Sequence, residues 1–164
     1  MAGELSSAGV KLGYAVEATA GTRPTSGFKN LRGVKSIPDF NPEPSALQTT
    51  DLSQTEWHTY IPGLKDPGGT LGFGFNNTND FHTDWAALMS EYKTIENAGG
   101  LDGKTKSMWF VVWIPSLAKS FYFSGKPSPL GMSAIEVDSV LEIDAYITPT
   151  GFEGWGTPIE PGAE

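Results

Sequence analysis

Glu136, Asp138, Glu142 and Asp144 form the one dense charge cluster of the chain. In an extended strand, residues two apart share a face at a separation of about 6.5–7 Å, near that of the paired carboxylates that cleave glycosidic bonds. Such catalysis needs one carboxyl held protonated in an apolar cleft, whereas four acids in an open row keep one another hydrated. The row therefore reads as a solvated face, either the wall of a channel or an ordinary outer surface. His58 and His82 are the only histidines and show no His-x-x-x-His or comparable ligand spacing. There is no Gly-x-Ser-x-Gly elbow, and the glycines at 21 and 68–69 lack the Lys-Ser/Thr and following helix of a phosphate loop. No catalytic residue, metal or cofactor is expected. Trp57, Trp109, Trp113 and Trp155 have two readings, a sugar-stacking platform or core and subunit-interface anchors. Trp109 and Trp113 share a face with Val111, which favours packing; Trp57 and Trp155 fall in loop or tail and are the better interface candidates.

The elements that would position these groups follow from periodicity. Residues 134–147 show the cleanest alternation: Ile135, Val137, Leu141, Ile143, Ala145 and Ile147 on one face, the four acids on the other. Further strands are expected at 10–16, 31–40, 47–52, 71–75, 106–114 and 118–124. Between them, residues 53–67 form a polar and aromatic connector; loops of that length without regular structure are uncommon and usually functional. One helix is expected over 81–95, capped by Asn79 or Asp80 and closed by Ala98-Gly99-Gly100. Phe81, Trp85, Leu88, Met89, Tyr92 and Ile95 make its apolar stripe, so it should lie on a sheet. The stretch 150–164 has no periodicity and reads as an arm or tail.

Composition narrows the function classes. At 164 residues the chain is expected to be one domain burying roughly two-thirds of its unfolded surface. Twenty glycines and twelve prolines beside nineteen aromatics favour a turn-rich β protein. A net charge of −8 with no basic run argues against direct grip on nucleic acid, which needs clustered Lys and Arg. The absence of cysteine removes disulfides, thiolate metal sites and thiol nucleophiles, and is compatible with a reducing cytoplasm. Residues 1–7 carry neither a basic nor an apolar signal region, and no apolar run approaches the ~20 residues of a membrane helix. Neither a secretory signal nor a membrane segment is expected.

The segment Tyr60-Ile61-Pro62-Gly63-Leu64-Lys65-Asp66-Pro67-Gly68-Gly69-Thr70-Leu71-Gly72-Phe73-Gly74-Phe75 couples a rigid Pro/Gly turn to an alternating strand. Its wording, with Gly33-Val34-Lys35-Ser36-Ile37-Pro38-Asp39-Phe40, Pro42-Glu43-Pro44 and Gln48-Thr49-Thr50-Asp51-Leu52 upstream, resembles the major tail tube protein of long-tailed (siphovirus-type) bacteriophages. The resemblance runs over residues 9–150. It implies a tail-tube-type β-sandwich or barrel with one flanking helix, in hexameric rings that stack into a hollow conduit for genome ejection, each subunit giving strands to one continuous lumenal barrel. It implies an N-terminal arm at 1–9, an assembly loop at 53–67 and a C-terminal arm or tail at 149–164. Ring-stacking contacts are expected at Gln54, Trp57, His58, Tyr60, Leu64, Lys65, Asp66 and Trp155, with the acidic row facing the lumen. The implied partners are further copies of the chain, a tape measure protein, a tail terminator and distal tail or initiator proteins. DNA would pass without specific binding, and the protein would be made in the host cytoplasm and end in the virion tail. The alternatives are another tail component of the same fold or a carbohydrate-binding β-sandwich module.

Overall fold

A computed structural model of the chain describes residues 5–40, 44–64, 69–98 and 106–162. They fall into two compact units, residues 1–38 with 70–164, and residues 39–69. In chain order the elements begin β1 (Lys11–Val16), β2 (Lys29–Leu31), β3 (Val34–Ser36), β4 (Ala46–Gln48) and β5 (Tyr60–Pro62). They continue with β6 (Leu71–Asn76), α1 (Asn79–Ala98), β7 (Met108–Trp113), β8 (Ser120–Pro127) and β9 (Glu142–Gly156). β4 and β5 pair in the smaller unit; the other strands form one antiparallel sheet in the order β2-β1-β7-β8-β9-β6-β3.

β2 and β3 lie at opposite edges of that sheet, yet only Arg32 and Gly33 separate them. Three residue steps span at most about 11 Å, so the sheet must curl until both its edges meet on one chain segment. Alternation around seven antiparallel strands leaves β2 and β3 running the same way, so residues 29–36 cross the seam without reversing. Gly33 makes the break: its φ of 87° is one that a side chain disfavours, and its carbonyl accepts Asn76 N–H at 2.9 Å. The expected single extended segment 31–40 is thus two short strands.

The concave face is packed with rings. Registers Tyr14↔Phe110, Phe110↔Phe123 and Phe73↔Ala145 place aromatics from successive strands on one side. Phe123 stacks on Phe110 at 5.2 Å and on Phe73 at 6.1 Å, and all three are fully buried. The helix lies on the same face, with Phe81 stacked on Phe75 at 4.4 Å. It begins two residues before the expected start, because Thr78 is the cap: its Oγ1 accepts Phe81 N–H at 3.2 Å. Phe81, Trp85 and Leu88 are buried, and Met89, Tyr92 and Ile95 are partly so. The glycine pair expected to close the helix lies outside the described residues. Arg32, at the seam, holds the helix in place through Asp84, donating from Nε and Nη2 at 2.9 Å and from its backbone N–H at 3.0 Å.

The convex face carries a second, smaller cluster of Ala15, Phe28, Val111 and Tyr122, covered by Trp109 and Ile159. Residues 157–162 cross it as a strap. Tyr122 Oη donates to the Thr157 carbonyl, Ile159 N–H to Ser120 Oγ at 3.3 Å, and Gly162 N–H to the Phe28 carbonyl at 2.8 Å. Gly13 has no side chain because a Cβ there would run into the Pro161 ring. Glu17 is a buried carboxylate that accepts Trp109 Nε1–H at 2.7 Å, Gly21 N–H at 2.8 Å and Ser107 N–H at 3.1 Å.

Further strand expectations require correction: the strand expected over 47–52 spans only Ala46–Gln48. Residues 134–141 are not strand: β6 ends its pairing at Asn76↔Glu142, and past Asn77 N–H to the Leu141 carbonyl at 2.9 Å no ladder partner follows among the described residues. Asp138 there has φ 57°, which breaks the run. Conversely, the supposedly aperiodic stretch after residue 149 continues β9 to Gly156 along β8. Register shifts of β8 against β9 leave Thr150 and Glu153 without direct partners, so the inward residues Ile147, Pro149, Phe152 and Trp155 are spaced by two, three and three.

Replacing Phe123 by Ala should cost about 3–5 kcal/mol, read by denaturant unfolding, because it lies between two other rings. Burial pushes the Asp84 carboxyl up, but the hydrogen bonds and charge of Arg32 outweigh this and hold it below its ordinary value. A depressed carboxylate contributes stability above its unfolded pKa of about 3.9 and loses it as pH falls through the folded value. Asp84→Asn should therefore lower the Tm at pH 7, and the gap to the parent protein should shrink as pH drops from about 5 to 3.

Candidate functional site

The smaller unit is a β-hairpin with an ordered tip. Its ladder pairs Ala46↔Pro62, Leu47↔Ile61 and Gln48↔Tyr60. It is extended by Gly63 N–H to the Ser45 carbonyl and by Thr49 N–H to the Thr59 carbonyl at 2.7 Å. Asp51 accepts Ser53 N–H at 2.9 Å, an Asx turn. Gln54 Oε1 accepts Asp51 N–H at 3.0 Å and the Thr59 hydroxyl at 3.2 Å, which ties the two sides of the tip together. His58 Nδ1 lies 2.8 Å from Gln48 Nε2. The stretch expected as one long connector therefore contains strand β5, with Tyr60 in it. Polar bonding organises this tip while its large apolar groups face solvent: Leu52, Trp57, Tyr60, Ile61 and Leu64 are all at least half exposed. Of the expected stacking residues, Gln54, Trp57, His58, Tyr60 and Leu64 lie together in this unit; Lys65 and Asp66 lie outside the described residues.

Trp155 belongs to the larger unit. It is not in a tail but in β9 opposite Phe121, whose ring it meets edge-on at 5.4 Å. About half of it is exposed, beside Phe152 at the end of the concave face. Trp109 and Trp113 occupy the convex face of β7. Trp109 donates to Glu17, and Trp113 lies under the Lys11 ammonium at 5.5 Å. Within the larger unit, Trp155 on the concave face and Trp109 and Trp113 on the convex face thus form no common platform.

The acidic row is divided. Glu142 and Asp144 project from the convex face of β9, exposed, with Tyr146 following. Glu142 is ion-paired with Lys35 of β3, so Asp144 carries the uncompensated charge of the pair. Glu136 and Asp138 lie in the preceding turn, where the Glu136 carbonyl accepts the Ser139 hydroxyl at 2.9 Å. What the alternation concealed is that Ile135, Val137, Val140 and Leu141 are exposed rather than core. Period-2 patterning looks the same whether or not a partner strand exists, so no signal in one sequence separates the two cases.

A cleft of about 490 Å³ opens between the last turns of α1 and the β7–β8 edge, lined by Tyr92, Ile95, Glu96, Lys106, Met108 and Lys126 among others. His82 Nε2 lies 2.6 Å from Asn77 Oδ1 near the helix start. Among the described residues, no group of three His, Cys, Asp or Glu side chains could hold a metal, and no helix is long and apolar enough to cross a membrane.

No family model matches the chain, and no curated protein matches it by sequence. Among solved structures, it is similar to a chain of the anti-feeding prophage (AFP) baseplate, determined by cryo-electron microscopy with six-fold symmetrisation. The TM-score is 0.61 at 9% identity, covering 95% of this chain and 98% of that one. At that identity the similarity is one of fold. It extends almost end to end, and the mainly β architecture with one helix expected from the sequence is the one that a phage-like baseplate also uses.

Proposed function

We propose that this chain is a structural subunit of a phage-type tail, and that it polymerises as stacked hexameric rings into the tail tube. The observation that carries the reading is the end-to-end fold similarity to a chain of a six-fold symmetrised baseplate. The resemblance of residues 33–75 to tail tube wording supports it independently. So does the hairpin, which carries solvent-facing apolar groups on a unit of its own; exposed clusters of this kind mark interaction surfaces. In this reading β4–β5 and its tip reach from one ring to the next, and Trp155 contributes a contact within or between rings. The tape measure, terminator and distal tail proteins are the neighbours of such a tube, and the virion tail is its location.

Function is then passive. A conduit that bound DNA would stall it, and an acidic wall repels phosphate over the ~8 Å screening length of physiological salt. Asp144 supplies that wall, with Glu142, whose charge Lys35 offsets, Tyr146 and the glycine-flanked face of β6 beside it. Glu136 and Asp138, off the strand, do not. A second reading, that of a baseplate or distal tail component, is favoured by the source of the structural neighbour and differs in predicting rings that do not elongate.

Negative-stain micrographs of the purified protein distinguish these outcomes. Long tubes support the tube subunit, isolated six-fold rings the baseplate component, and a monomer at every concentration overturns both. Deleting Gln54–Trp57 at the hairpin tip should leave rings and abolish tubes. Phage particles carrying Glu142→Gln with Asp144→Asn should assemble tails but eject DNA more slowly, while Glu136→Gln with Asp138→Asn should eject at the parental rate.

A further inference from the structure

Fourteen large apolar side chains are exposed among the described residues, and eleven of them fall on two stretches. One is the β4–β5 unit, with Leu47, Leu52, Trp57, Tyr60, Ile61 and Leu64. The other is residues 132–141, with Met132, Ile135, Val137, Val140 and Leu141, of which Val137 is 90% exposed. Each lacks what the other has. The hairpin is two strands, a number marginal by itself, needing a third strand and a cover for its apolar face. The other stretch has strand alternation but no ladder. Outside its own turn, where the Glu136 carbonyl accepts the Ser139 hydroxyl at 2.9 Å, its ends are held by Asn77 N–H to the Leu141 carbonyl at 2.9 Å and by the Ser133 hydroxyl accepting Asp144 N–H at 3.3 Å.

We propose that residues 132–141 are the surface onto which the β4–β5 hairpin of a second copy of this chain docks, adding to it as a third strand. The inference rests on the assembly reading above and names the partner surface of its contact hairpin. Two different patches on one chain that fit one another make a heterologous contact, which repeats head to tail. Main-chain pairing supplies the affinity in such strand addition, and alternate side chains supply the fit. With the stretch added beside β5, Ile61, about half exposed, meets Ile135 and Val137, while its partner Leu47 extends the same apolar face one strand further on. Charge permits the contact: β4 and β5 carry no charged residue, so Glu136 and Asp138 face no like charge on either strand. Asp138 leaves its left-handed backbone conformation, which is disfavoured for a non-glycine residue, when the stretch straightens.

The chain has no cysteine, so single cysteines report without background. Ile61→Cys and Val137→Cys proteins, mixed and oxidised under assembly conditions, should give a disulfide-linked dimer that neither gives alone. Ile61→Cys mixed with Lys93→Cys, an exposed helix position, should give none. In the parent protein, amide exchange of residues 132–141 should slow by about tenfold or more on assembly. Tubes or rings that form with no cross-link and unchanged exchange overturn this proposal and leave the assembly reading standing. A protein that stays monomeric, with exchange independent of concentration, overturns both.

Discussion

The seam at Arg32-Gly33 is the constraint on which the rest of the larger unit depends. Because one segment supplies both edges of the sheet, the sheet has a fixed curvature and a concave face of limited volume. That volume is filled by stacked rings of Phe73, Phe110 and Phe123 and closed by a helix bearing Phe81, Trp85 and Leu88. Arg32 sits where the edges meet and ties the helix through Asp84, so closure of the sheet and docking of the helix are one event. A consequence for edges follows: β2 and β3 are three residues each, and short edge strands are poor templates for unregulated pairing.

Much of this was legible in the sequence. The strands around Tyr14, Phe73, Phe110 and Phe123 announce themselves by aromatic and β-branched alternation, and the helix by its 3.6-residue stripe. What was not legible has physical causes. Thr78 caps the helix where Asn79 and Asp80 are equally good candidates by type. β9 beyond Pro149 loses its period because Thr150 and Glu153 are extra residues against β8, and the inward positions drift from every second to every third. The opposite error occurs at 134–141, where alternation is intact but β6 has ended. A strand is a property of two segments, and one segment's pattern does not show whether its partner is there. The convex cluster under the 157–162 strap was likewise hidden, since Pro158, Ile159 and Pro161 show no period and are held in place by Tyr122 and Phe28 far away in the chain.

The two units divide labour by the kind of interaction each satisfies internally. The larger satisfies its apolar groups, with rings on one face and the Val111–Tyr122 cluster on the other. The smaller satisfies its polar groups, with Asp51, Gln54, Thr49 and Thr59 bonding to one another, and leaves its apolar groups in water. Internal hydrogen bonds at the tip reduce the conformational freedom left to lose should its exposed apolar groups be covered.

The place of β9 in the sheet has a bearing on when the larger unit can close. It is the only strand paired to both β8 and β6, so without it the sheet is two pieces, β2-β1-β7-β8 and β6-β3. A nascent chain emerging from the ribosome cannot join those pieces until residues 142–156 have been translated, and its long-range pairing is slow by topology. The larger unit therefore closes late in synthesis, after most of its strands have already been made.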